Sequence, residues 1–268
     1  MTGVILNELH KQLFRLRTYL AIGAMIAIPI IMTLAVEFGR RPRGRDTSFF
    51  ALATHSGLNV PLAALAGTSS FLLVIVVTLF AGAALSEEAN WGSLRYLLVR
   101  PVSRSKLLTT KLVVACILSI FATLVIPITG LIAGTIFFGW HEILSPDFTV
   151  FTQQEALARI ALSTVYVAWC MSGVIALAFM ISTITDATLG SVAGALGLVI
   201  ISGIMNAIDS LGDIRSFLIS HYWDAWEQLF RHPANTLDMQ RGVLLQIPYV
   251  IVFLGFAWWW FHRRDILS

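Results

Sequence analysis

Residues 112–138 read LVVACILSIFATLVIPITGLIAGTIFF, a stretch that contains no charged side chain. It lies within an interval of 30 uncharged residues between Lys111 and Glu142. About 20 helical residues are enough to cross a hydrocarbon core of about 30 Å. This stretch therefore predicts a helix that spans a membrane.

Five further intervals without charged residues are long enough for a span of the same kind. The longest, between Asp46 and Glu87, predicts a single span, because its first part is polar and broken by proline. An even number of spans places both termini on the same side of the membrane. The six predicted spans are residues 18–36, 62–85, 112–138, 159–183, 188–207 and 243–261.

The composition of the whole chain also excludes an ordinary soluble enzyme. Hydrophobic residues make up 57% of the 268 residues and charged residues 12%, whereas soluble domains carry about 25% charged residues. We therefore predict an all-α polytopic membrane protein whose single membrane domain covers residues 1–268. The bilayer is its expected surrounding, and a net charge of +3 gives no reason to expect nucleic acid as a partner.

Positive charges predict the orientation of the spans. Ten of the 18 Lys and Arg residues fall in the N-terminus, the 86–111 loop and the C-terminus, which the positive-inside rule assigns to the cytoplasm. Residues 1–17 combine apolar side chains near helical spacing with Lys11 and Arg15, a pattern that predicts an amphipathic helix at the cytoplasmic interface. The segment 208–242 then lies on the outer side.

The loop over residues 86–111 predicts two short amphipathic helices on either side of a proline. Leu94, Leu97 and Leu98 form one apolar stripe, Pro101 ends the first helix, and Ser103 caps the next. Such helices are suited to bind a groove on a soluble partner. The same pattern also fits a connector that touches only lipid.

The order of residues in this loop resembles the signature of ATP-binding-cassette (ABC) transporter permeases of the type-2 exporter class. Residues 56–65 and 221–226 resemble that family's approach to its second span and its segment between the fifth and sixth spans. The residues that carry the signature are Glu87-Glu88, Gly92-Ser93-Leu94-Arg95, Leu97-Leu98, Pro101, Ser103-Arg104, Leu107-Leu108 and Lys111.

The resemblance implies a permease in the plasma membrane with cytoplasmic termini, working as a dimer with two ATPase subunits. The segment after Glu88 would be a coupling helix that docks on the ATPase, and the segment 208–242 would cap the pathway. The coupling residues would be Glu87, Glu88, Gly92, Leu94, Arg95, Leu97, Leu98, Arg100, Pro101 and Arg104. The outer gate residues would be His221, Tyr222, Trp223 and Trp226.

The sequence lacks the motif that binds the phosphates of a nucleotide. It has no G-x-x-x-x-G-K-[ST] loop, so ATP and Mg²⁺ are expected to bind the partner ATPase, and we expect no catalytic residue, cofactor or metal in this chain. Cys116 and Cys170 lie in apolar runs and are expected to be buried thiols.

A secondary transporter driven by ions or protons is an alternative, although it would need ionisable residues near the middle of the spans. A scaffold that transports nothing is a third hypothesis. The cargo, and whether the two permease chains are identical, stay open.

Overall fold

The computed structural model describes residues 2–39, 49–90, 103–147 and 149–263. Six helices in this part of the chain are long and apolar enough to cross a membrane, which confirms the predicted all-α class with six spans. They are α2 (Leu16–Phe38), α5 (Leu72–Asn90), α6 (Arg104–Phe138), α7 (Gln153–Ile184), α8 (Thr188–Asn206) and α9 (Leu237–Arg263).

Shorter elements connect the long helices. A two-residue β-ribbon pairs β1 (Ile143–Leu144) with β2 (Val150–Phe151) in antiparallel register. Two 3-10 helices, Asp209–Phe217 and Ala225–Phe230, fold between α8 and α9. The short α-helices are α1 (Thr2–Leu13), α3 (Phe49–Leu52) and α4 (Val60–Ser69).

The second predicted span is broken in the structure. Residues 62–85 were predicted as one helix, but α4 ends at Ser69 and α5 begins at Leu72. Thr68 donates its hydroxyl to the carbonyl of Ala64 at 2.7 Å. Serine and threonine form such local bonds in competition with the helix backbone, and four small or hydroxyl residues in succession, Gly67 to Ser70, favour a break there.

Helices α6, α7 and α9 begin earlier than predicted, at Arg104, Gln153 and Leu237. The predicted spans followed the apolar stretch alone, whereas the helices continue into charged residues outside it. Ser103 caps α6 as predicted, since its hydroxyl accepts a hydrogen bond from the Lys106 backbone N–H at 3.4 Å.

The core of the bundle lies around α5 and α7. In the most apolar window of each helix, 72% of α5 and 67% of α7 is buried, compared with 22% of α2 and α8 and 17% of α9. Helices α2, α8 and α9 thus lie at the periphery of the bundle and present apolar side chains away from it, as helices in contact with lipid do.

The bundle has two end faces. At the terminal face, the start of α6 meets α1 and the end of α5 through Lys111 and the end of α9 through Arg104. At the opposite face lie the β-ribbon and the two 3-10 helices, joined by the hydrogen bond from Ser145 to the carbonyl of Phe230. Both ends of the described chain therefore lie at the terminal face.

Candidate functional site

The predicted coupling residues fall into two groups. Glu87 and Glu88 lie in the last turn of α5, and Arg104 is the first residue of α6. The segment between these helices, residues 91–102, lies outside the described residues. The predicted residues in that segment are Gly92, Leu94, Arg95, Leu97, Leu98, Arg100 and Pro101. The structure thus describes the predicted coupling residues on either side of this segment, which we call its two anchors.

Glu88 takes part in a buried ionic contact between α5, α6 and α1. It contacts the ammonium group of Lys111, and only 4% of the Glu88 side chain and 2% of the Lys111 side chain are exposed. Lys111 Nζ also lies 2.6 Å from Glu8 Oε1, and Lys11 Nζ lies 3.1 Å from Glu88 Oε1. Buried charges are tolerated mainly when they are paired. Helix α6 therefore supplies the positive charge that carboxylates on α1 and α5 require.

Glu87 makes a parallel contact with the junction of α1 and α2. Its carboxylate contacts the Arg15 guanidinium, and Arg17 Nη2 lies 2.6 Å from Glu87 Oε2. Arg17 also donates to Gln12 Oε1 at 2.7 Å, and Gln12 Nε2 donates to Glu8 Oε1 at 3.0 Å. These bonds join both groups into one basal network, which consists of Glu8, Lys11, Gln12, Arg15, Arg17, Glu87, Glu88 and Lys111.

Two opposing effects set the pKa of Glu8 in this network. Burial raises the pKa of the carboxyl group, but the charge and hydrogen bond of Lys111, assisted by Gln12 and Lys11, lower it below the usual value. Glu8 is therefore ionised at neutral pH. Its pairing stabilises the fold fully above the usual glutamate pKa, and this contribution is lost as the pH falls through the lowered pKa.

Sequence reasoning found Glu87 and Glu88 but missed their partners. Lys11 and Arg15 served there to predict an amphipathic helix and, with Arg17, the orientation of the spans, whereas Glu8 and Gln12 were not considered. Lys11 and Glu88 are 77 residues apart in sequence, so no local spacing reveals the contact. The usable signal was an acidic pair at the end of an apolar helix, because such a pair requires positive charge from elsewhere.

Arg104 anchors the start of α6 to the end of α9. Its Nη1 lies 3.3 Å from the carbonyl oxygen of Phe261 and 3.2 Å from that of His262. The Ser105 hydroxyl lies 3.1 Å from His262 Nε2. A cation beside the last carbonyls of a helix is favourable, because those groups carry partial negative charge. The second anchor of residues 91–102 is thus fixed to another span.

Two of the predicted outer gate residues, Trp223 and Trp226, are buried at the opposite face. Trp223 is 4% exposed and Trp226 is fully buried. The Trp226 ring stacks on Phe49 at 5.6 Å between centroids and meets Phe230 edge-on at 6.3 Å. Trp226 therefore belongs to an aromatic core that joins α3 to the second 3-10 helix.

The other two gate residues, His221 and Tyr222, are held by polar contacts. His221 Nδ1 lies 2.6 Å from Asn206 Oδ1. The carbonyl of Tyr222 accepts a hydrogen bond from the Tyr166 hydroxyl at 2.7 Å. These bonds fix the segment between α8 and α9, residues 208–236, to α7 and α8. We name it the outer segment after its predicted side of the membrane, and both that side and the gating role of the four residues stay predictions.

A polar cavity of about 610 Å³ opens beside His221 and Tyr222. Its walls carry charges of both signs, among them Arg215, Glu227 and Asp238. Burial and the nearby Arg215 charge lower the pKa of His221, against the opposing effect of Asp238. The cavity therefore holds a neutral imidazole among charged groups at neutral pH.

The comparisons with known proteins cover most of the chain. A family model described as "Protein of unknown function (DUF2705)" matches residues 30–267. The uncharacterized protein YhcI of Bacillus subtilis (strain 168) is 23% identical to this chain over 211 residues. That alignment covers 74% of this chain and 66% of YhcI, so the chain spans just under two thirds of the relative's length. Neither description states an activity.

Proposed function

We propose that this chain, which belongs to the DUF2705 family, is the membrane-spanning subunit of an ABC exporter. The proposal rests on the resemblance of residues 87–111 to ABC permeases and on the contacts that fix the ends of that stretch. Two such chains, identical or different, form the pathway in the plasma membrane. A separate ATPase subunit binds residues 91–102 on the cytoplasmic side, where both termini also lie. ATP and Mg²⁺ bind that subunit, and this chain contributes no catalytic residue.

The basal network is the observation that carries the proposal. A segment that passes force from an ATPase to a membrane pathway needs both of its ends fixed to the helices that move. Glu87 and Glu88 connect the end of α5 to α1, α2 and α6, while Arg104 connects the start of α6 to α9. A displacement of residues 91–102 would therefore move several spans together.

The position of the ionisable residues disfavours the alternative of an ion- or proton-driven transporter. Within the described spans, Asp, Glu, Lys and Arg occur only near the helix ends, and α8 has none of them. Lys111, the eighth residue of α6, and Arg159, the seventh of α7, lie furthest from an end. Proton relays require such groups near the middle of the membrane. Transport that vanadate leaves unchanged and an uncoupler abolishes would support the alternative.

Replacing Leu97 or Leu98 by aspartate tests the coupling directly. We expect the variant to reach the membrane but to leave the ATPase subunit at its unstimulated rate, because a charge would interrupt the apolar stripe that the sequence predicts for docking. Loss of an anchor residue at an interface costs about 2 kcal/mol or more, which is about a 30-fold loss of affinity. The measurement is vanadate-sensitive ATP hydrolysis by the complex purified with its P-loop subunit.

The matched control is Val150→Asp, which alters an apolar residue that is 60% exposed at the opposite face. This variant is expected to keep the stimulation. Normal stimulation in Leu97→Asp and Leu98→Asp, or failure of any P-loop subunit to purify with the chain, would refute the proposed coupling.

A further inference from the structure

A second cavity, of about 440 Å³, lies at the opposite face between α5, α8 and the outer segment. Ser70 and Phe71 form its wall just before α5, and Val74 continues that wall along the helix. The outer segment contributes Trp223 and Asp224. Helix α8 contributes Leu196, Val199, Ile200, Gly203, Ile204 and Asn206.

The polarity of this cavity changes along its length. Asn206 and Asp224 line the end nearest the opposite face, and Ile200 and Leu196 lie deeper along α8. At 1.5 Å per residue, the wall from Asn206 to Leu196 is about 15 Å long. The cavity therefore suits a molecule with a polar head at the face and an apolar body between α5 and α8.

Asp224 gives the polar end a negative charge. It is the only charged residue that lines this cavity in the described part of the chain, and none of the ion pairs formed there includes it. Its contact with the Ser70 hydroxyl is long, at 3.5 Å. Asp224 itself is exposed at the open end of the cavity, so a cationic group can reach its carboxylate. A cation bound in the cavity would be attracted to this carboxylate.

Trp223 adds an independent indication that a ligand binds here. The side chain is 4% exposed, yet its indole N–H has no acceptor among the described residues. A buried donor without a partner is unfavourable, so an acceptor on a ligand would satisfy it. The face of an indole ring also attracts cations.

We propose that this cavity binds a cationic amphiphile, with its protonated amine beside Asp224 and Ser70 and its alkyl chain along α5 and α8. An oxygen near the amine would accept from the Trp223 indole N–H. This inference goes beyond the coupling to an ATPase, since binding requires neither ATP nor a partner subunit. Its failure and the failure of the exporter proposal are therefore separate results.

The test measures binding of dodecylamine and of the neutral dodecanol to the purified chain in an uncharged detergent, by native mass spectrometry. We expect dodecylamine to bind at least about tenfold more tightly, a difference typical of one charge-assisted contact. In Asp224→Asn this preference should disappear while dodecanol binding persists, which also shows that the variant is folded. Equal binding of both probes to the unaltered chain, or a preference that survives in Asp224→Asn, would overturn the proposal.

Two further variants locate the site. Asp224 lines both cavities, whereas Glu227, three residues away, lines only the polar one. Glu227→Gln should therefore keep the amine preference. Ile200→Trp fills the apolar part of the proposed site and should weaken both probes. Loss of the preference in Glu227→Gln, or unchanged binding in Ile200→Trp, would place the amine elsewhere and contradict the proposal.

Discussion

Replacing Lys111 by methionine is expected to lower the free energy of unfolding by about 3–5 kcal/mol, the loss typical of breaking a buried ion pair. Methionine fills much of the same space but leaves the carboxylates of Glu8 and Glu88 without the ammonium group that both contact. The measurement is a denaturant or thermal unfolding transition of the purified chain in detergent.

Lys11→Met is the matched control, because Lys11 pairs with the same Glu88 while half of its side chain, 50%, is exposed. Water screens the half-exposed ammonium group of Lys11, so its pairing with Glu88 should contribute less than that of Lys111, and this variant should remain closer to the unaltered protein. Adding Glu88→Gln to Lys111→Met should recover part of the loss, since it removes one of the two buried carboxylates. Equal stability of the Lys111→Met and Lys11→Met variants would contradict the buried network.

Trp226→Ala is expected to cost about 3–5 kcal/mol, the range for removing a large buried aromatic side chain. The ring is fully buried between Phe49 and Phe230, so its removal leaves a cavity that the fixed outer segment cannot fill. Trp226→Phe should cost much less, because it keeps an aromatic contact with both rings. The same unfolding transition measures these differences.

The control for this prediction is Trp259→Ala. Trp259 is 47% exposed on α9, where lipid or detergent can replace the contacts of its ring. We expect a small change in stability. If Trp226→Ala and Trp259→Ala lost the same amount, the aromatic core at the opposite face would be refuted as a stabilising feature.

The spans could be predicted because each depends on the length of a continuous stretch without charged residues. A stretch such as residues 112–138 has no charged group that would resist burial in lipid, and its length fits a membrane. The break at Ser70 and Phe71 was not predicted, because average hydropathy does not register the local hydrogen bond of Thr68. Small residues with hydroxyl groups can end a helix without making the stretch less apolar overall.

The candidate site could be predicted only in part. Glu87 and Glu88 attracted attention through a local motif, but their pairing with Arg17 and Lys111 depends on the packing of α5 against α2 and α6. The cavity beside Asp224 was not predicted either. It requires the outer segment to fold against the ends of α5 and α8, which no spacing in the sequence indicates.

Labelling of single engineered cysteines in intact cells tests most directly whether residues 91–102 face the cell interior. Ser93→Cys places the label in that segment, and Val150→Cys places it at the opposite face, in chains whose Cys116 and Cys170 are replaced by alanine. A maleimide that cannot cross membranes should modify Val150→Cys from outside and reach Ser93→Cys only after permeabilisation. Modification of Ser93→Cys in unbroken cells would contradict docking of an ATP-driven subunit on this segment.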